Sequence, residues 1–134
     1  MARPQVVVLA DDLIWQTRLV GTLREVDAQP FAVRDLAAFA DQLEAADAAI
    51  VDLTSLGYDP IAALRVAADA GVPSLAVGQH DDMATRKEAL DAGARRVFAY
   101  RKLFEDGPRT LARWLESVGF DVTEQAAAAS GGPE

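Results

Sequence analysis

A chain of 134 residues with a formal net charge of −8 and no cysteine is long enough for one domain with its own core and needs no disulfide to hold it. The same figures exclude thiol catalysis and zinc–thiolate sites, and they argue against nucleic acid or an anionic membrane as partner, since both require a basic face. No apolar run is long enough to cross a bilayer, and no signal-peptide pattern precedes the first strand, so a cytoplasmic location is expected. Strands are predicted at Gln5–Ala10, Pro30–Val33, Ala48–Asp52, Ser74–Gly78 and Arg96–Tyr100. Between them the apolar period lengthens to that of helices. The first helix covers Leu13–Val26, with Leu19, Val20, Leu23 and Val26 inward. The second covers Leu36–Ala46 behind a capping Asp35. The third opens at Pro60 after capping Asp59 and ends at Gly71, with Ile61, Leu64 and Ala68 inward. The fourth follows Asp81 or Asp82 and ends at Gly93, with Leu90 inward. The fifth opens at Pro108, buries Leu111, Leu115 and Val118, and stops at Gly119. One domain is expected over residues 1–121. Residues 122–134, which include the low-complexity run Glu124–Glu134, read as a disordered tail.

Five strands alternating with five helices predict a parallel sheet covered on both faces. The flavodoxin-like (βα)5 three-layer sandwich, strand order 2-1-3-4-5, fits best. In that order the first and third strands are neighbours, and their carboxyl ends flank the crevice where open α/β sheets bind ligands. Asp11 and Asp12 follow the first strand and Asp52 ends the third. The spacing therefore gathers three carboxylates at one edge. Such a cluster suits Mg²⁺, which takes near-octahedral oxygen ligands. The pair Asp11 and Asp12 equally suits a helix N-cap with a first-turn charge.

Four segments in order carry a family likeness: Val8-Leu9-Ala10-Asp11-Asp12, Ile50-Val51-Asp52-Leu53, Gly71-Val72-Pro73-Ser74-Leu75-Ala76-Val77 and Ala89-Leu90-Asp91-Ala92-Gly93-Ala94. Over about residues 5–118 the chain resembles a response-regulator receiver domain of the CheY-like kind. The resemblance implies Asp52 as phosphoacceptor, with Mg²⁺ held by Asp11, Asp12, Asp52 and the backbone carbonyl of Thr54. It also implies a bacterial-type two-component setting, with a histidine kinase as a possible partner.

Three switch positions depart from the family pattern. Gly78 stands where the family has a Ser or Thr hydroxyl. Tyr100 stands where it has the site lysine, and Lys102-Leu103-Phe104 echoes the family's Lys-Pro-Phe two residues late. Val97 stands where it has an aromatic, with Phe98 next to it. Losing a single preorganised donor can cost an active site about 2.7–4 kcal/mol. The expected role is therefore that of a stand-alone, degenerate receiver, not an enzyme, acting by protein contact and binding Mg²⁺ weakly if at all.

Two other readings compete with it. One is a working Mg²⁺-dependent phosphoacceptor at Asp52, with Arg101 or Lys102 replacing the lysine. The other is a small phosphohydrolase, disfavoured because Thr54 stands where a second acid would act. The expected contact face is the fourth helix, fifth strand and last helix, for a protein partner or a second copy. It would carry Phe98, Tyr100, Phe104, Arg109 and Arg113, since interfaces favour aromatic and Arg residues. Trp15 is expected at the crevice rim, as packing or as a binding handle. Trp114 is expected in the core, and His80-Asp81-Asp82 as a solvated helix start.

Overall fold

The computed structural model describes residues 3–79 and 81–120. The expected tail and His80 lie outside the described residues. The elements run β1 (Gln5–Leu9), α1 (Leu13–Glu25), β2 (Gln29–Val33), α2 (Leu36–Leu43), β3 (Ala48–Asp52), α3 (Pro60–Asp69), β4 (Ser74–Gly78), α4 (Met83–Asp91), β5 (Arg96–Ala99) and α5 (Tyr100–Ser117). All strand pairs are parallel, in the order β2-β1-β3-β4-β5. This is the flavodoxin-like sandwich expected from the alternation.

The sheet separates two apolar layers because side chains alternate across each strand. Val6 and Val8 of β1, Ile50 of β3, and Leu75 and Val77 of β4 pack with Leu19, Leu23, Leu111 and Leu115 from α1 and α5. Val7 and Leu9, Val51 and Ala76 pack with Phe39, Leu64, Ala67 and Ala89 from α2, α3 and α4. Every residue of β3 and β4 is buried, as strands covered on both faces should be. Asp35, Asp59 and Asp82 cap α2, α3 and α4 through amides of the first turn.

Three expectations need correction. Tyr100 does not end β5: it opens α5, whose first stretch lies ahead of Pro108. Two helical stretches meet at a non-helical Asp106 (φ −149°, ψ 46°), and Pro108 stands in the first turn of the second, where the sequence placed the start of the last helix. Leu90 is 43% exposed and Ala89 is the buried residue of α4. In α3, Ala68 is exposed while Ala63 and Ala67 are buried. Ala63, Ala67 and Ala89 all belong to the layer under α2, α3 and α4. Gly93, at φ 118°, comes so near α3 that a Cβ there would lie 2.8 Å from the Ala68 Cβ.

Candidate functional site at the carboxyl edge

β1 and β3 run side by side with Leu9 opposite Val51. The residues that follow them therefore emerge at one edge, but the three acids there serve different purposes. Asp12 is the N-cap of α1, and its Oδ1 accepts from the amides of Ile14 (2.9 Å) and Trp15 (3.0 Å). Asp11 leans over the β3–α3 loop. A Cβ on Gly57 would crowd its Oδ2, so glycine there leaves room for the carboxylate beside the backbone. Asp52 is fully buried.

Asp52 Oδ1 collects three donors. The Thr54 amide donates at 2.9 Å and the Thr54 hydroxyl at 2.8 Å. The third is the Tyr100 hydroxyl, in a short hydrogen bond. The Tyr100 ring stacks on Trp15 of α1 with centroids 3.8 Å apart and planes 28° apart. Trp15 in turn lies under the Arg18 guanidinium, 5.4 Å from the ring centre, and the same cation sits 4.7 Å over Phe104. A chain of aromatic and guanidinium planes thus roofs the carboxylate. Burial and then the bond to Asp52 push the Tyr100 phenol well above its ordinary pKa, so it stays a donor. Asp52 Oδ2 is buried and has no partner among the described residues.

A second tyrosine ties the strands together. The Tyr58 hydroxyl lies 2.7 Å from the Asp52 carbonyl and 2.9 Å from the Leu9 carbonyl, so it bridges the ends of β3 and β1. Burial, then the nearby Asp52 and Asp11 carboxylates, raise its pKa strongly. Nothing in the sequence reading singled out Tyr58. Its signal was a lone hydroxylated aromatic between Gly57 and the capping Asp59, too common in loops to stand out.

At the other half of the edge, Gly78 is buried under Leu53, whose Cδ1 would lie 3.2 Å from an added Cβ. Leu53 stands beside the position where the family pattern has a hydroxyl, and Leu53 and Gly78 line a cavity of about 250 Å³. Val97 is 5% exposed and belongs to the α2–α3–α4 layer. Phe98 is half-buried beneath the Arg96 guanidinium at 5.0 Å.

The donor set fits Mg²⁺ poorly as it stands. Asp12 is occupied as a cap and one oxygen of Asp52 already accepts three hydrogen bonds. Among the described residues no group of three or more His, Cys, Asp or Glu side chains could hold an ion. The cap uses one oxygen of Asp12, and the buried Oδ2 of Asp52 has no partner among the described residues.

The expected interface also divides. Tyr100 turns into the site instead of outward. Phe104, 68% exposed, faces α1 across a cleft of about 370 Å³ that Trp15 and Arg18 also line. Phe98, Arg109 and Arg113 share a different groove, about 210 Å³, between β5 and α5. Trp114 is 2% exposed and lies in the core, as expected.

Comparison with known proteins places the fold. No protein-family model and no curated protein matches this chain. Solved structures do. A two-component response regulator from Clostridium difficile superposes with a TM-score of 0.76 at 11% identity, covering 88% of this chain and 100% of that one. A CheY-like response-regulator receiver domain protein from Methanospirillum hungatei JF-1 gives 0.73 at 15% identity, covering 92% and 97%. The BeF3-activated DrrB receiver domain gives 0.74 at 15% identity, covering 86% and 99%. The chain has the receiver fold over nearly the whole length of these domains. No described helix is long and apolar enough to cross a membrane.

Proposed function

We propose that this chain is a receiver-type module of two-component signalling whose phosphoacceptor position is sealed, and that it acts by binding another protein rather than by efficient phosphotransfer. One observation carries the reading: Asp52 is fully buried under Tyr100, which donates to its carboxylate while Trp15 stacks on the phenol. A phosphoryl donor needs an open line to a carboxylate oxygen and cations around the transferring group. Here a neutral phenol stands where the resemblance calls for an ammonium. The fold likeness supports the signalling class. The protein would not be an enzyme, its place would be the cytoplasm, and its partner would be a kinase, another protein or a second copy. Mg²⁺ binding would be weak and would depend on Asp52, so a calorimetric titration unchanged by Asp52→Ala would remove Asp52 from the ligand set.

Incubation with acetyl phosphate and Mg²⁺, followed by intact-mass measurement, tests the reading. Mostly unmodified protein is expected. Rapid, near-complete addition of one phosphoryl group would reject the sealed-site reading in favour of a working phosphoacceptor. That alternative draws on the Asp52 Oδ2, which is buried with no partner among the described residues and would be free to react if Tyr100 swung away.

A further inference from the structure

The cleft between α1 and α5, about 370 Å³, has the volume of a small-molecule site, since such sites span roughly 300–1,000 Å³. Two glycines shape it. Gly107 of α5 is buried, and a Cβ there would lie 3.1 Å from the Thr22 Cγ2, so the two helices come close at that end. Gly21 of α1 is different. It stands in mid-helix, where glycine lowers stability relative to alanine. Its φ is not positive, and a Cβ there would meet nothing within 4 Å. Neither the backbone nor packing within the chain calls for glycine at this position, and its effect is to keep the cleft open.

The mouth of the cleft carries an unmatched cation. Arg18 is exposed and lies over the Phe104 and Trp15 rings. The ion pairs found among the described residues, Arg3–Asp27, Lys87–Asp91 and Arg101–Glu105, do not include it. A guanidinium steadied by rings keeps its planar fork of N–H donors for a carboxylate. Phe104 remains 68% exposed despite the cation, and Pro108 adds apolar lining beside it.

We infer that the α1–α5 cleft binds a small aromatic monocarboxylate, with its ring between Gly21 and Phe104 and its carboxylate on Arg18. Charge narrows the class. Glu25 and Glu105 also line the cleft, so one negative charge is matched, while the two or more of a nucleotide or sugar phosphate are repelled. The narrowing toward Gly107 favours a flat ring over a branched chain. The cleft also adjoins the roof of Asp52, because Arg18 lies over Trp15 and Trp15 stacks on Tyr100. An occupant would give the chain a chemical input that needs no phosphoryl transfer. That role rests on the sealed-site reading, whereas the binding itself does not.

The test is calorimetric titration of the full chain with indole-3-acetate, with neither Mg²⁺ nor a phosphoryl donor present. Saturable binding is expected, about tenfold or more tighter than that of the neutral indole-3-acetamide. Arg18→Gln should weaken it by a similar factor of about ten. Gly21→Leu should abolish it, because the new side chain enters the open space of the cleft. Leucine is a good helix former, and circular dichroism checks that each variant is folded. Arg65→Gln, at an exposed site on α3, removes the same charge elsewhere and should leave affinity within about twofold. No saturation by about 1 mM indole-3-acetate overturns the inference. So does undiminished binding to the folded Gly21→Leu variant, equal loss in the Arg18 and Arg65 variants, or equal affinity for the amide. None of these results depends on phosphorylation of Asp52, so the ligand site and the sealed-site reading can fail separately.

Discussion

The carboxyl edge of the sheet has two halves that hold different chemistry on the same backbone frame. Beneath β1 and β3 the acids expected of a receiver stand in place, with Asp52 at its strand end and Asp11 and Asp12 beyond theirs. Beneath β4 and β5 the positions that should supply a hydroxyl and an ammonium hold Gly78, roofed by Leu53, and Tyr100, bonded to Asp52. Strand register is set by backbone pairing and core burial, so it survives a change in the side chains at the strand ends. The chemistry depends on those few side chains alone, so the frame carries no guarantee of it. One half also answers the other: a buried carboxylate without cation or lysine still needs donors, and Tyr100 and Thr54 provide them.

The contrast between the halves can be broken most forcefully at high pH. Tyr58 and Tyr100 are the chain's only tyrosines, and both have strongly raised pKa values. A raised pKa means that the folded state holds the proton more tightly than the unfolded one. The associated stability is complete below the unfolded value near pH 10 and is lost as pH rises beyond it. Phenolate absorbance and loss of ellipticity should therefore appear in a single transition above about pH 10. A reversible phenol titration near the ordinary value, with the fold intact, would mean that neither tyrosine is held as described.

Next in size is the effect of Tyr100→Lys, which restores an ammonium and removes the aromatic roof. Labelling of Asp52 by acetyl phosphate should accelerate, by up to about 10²–10³-fold if the lysine is well placed. No acceleration would mean that the β4 half alone blocks the reaction.

The two tyrosines also separate the halves energetically. Tyr100→Phe removes a donor to a carboxylate and should cost about 1.5–3 kcal/mol in urea unfolding. Tyr58→Phe removes a hydroxyl shared by two neutral carbonyls and should cost less, about 0.5–1.5 kcal/mol. The reverse order would make the strand tie, not the seal, the main support of this edge.

Smallest is Gly78→Ser. A side chain stiffens the strand by about 0.5–1 kcal/mol relative to glycine, while Leu53 must give way by a few tenths of an ångström. The two should nearly cancel, and labelling should stay low while Tyr100 remains. A large gain in labelling from this change alone would move the block from β5 to β4.

Much of this molecule was legible from residue order. Strand and helix identity followed from apolar period, and strand order from alternation, because a parallel sheet buried on both faces admits few arrangements. The caps Asp35 and Asp59 were legible because a side chain that bonds its own first turn is a local event. The candidate acids could be named, and so could the vacant hydroxyl and lysine positions.

Tertiary structure alone decided what those positions do. Tyr100 looked like the end of a strand, yet it starts a helix and reaches Asp52, 48 residues earlier. Trp15 could be placed at the rim, but its stacking on Tyr100 joins α1 to α5 and has no trace in either segment. Asp12 could be read as a metal ligand or a cap, and only the folded chain shows two amides donating to its Oδ1. Tyr58 and the division of the expected interface into two grooves were equally invisible. Period and capping are governed by neighbours within a turn or two, so sequence carries them. A hydrogen bond or ring stack between distant segments depends on where the whole sheet delivers each side chain, and that is known only once the chain has folded.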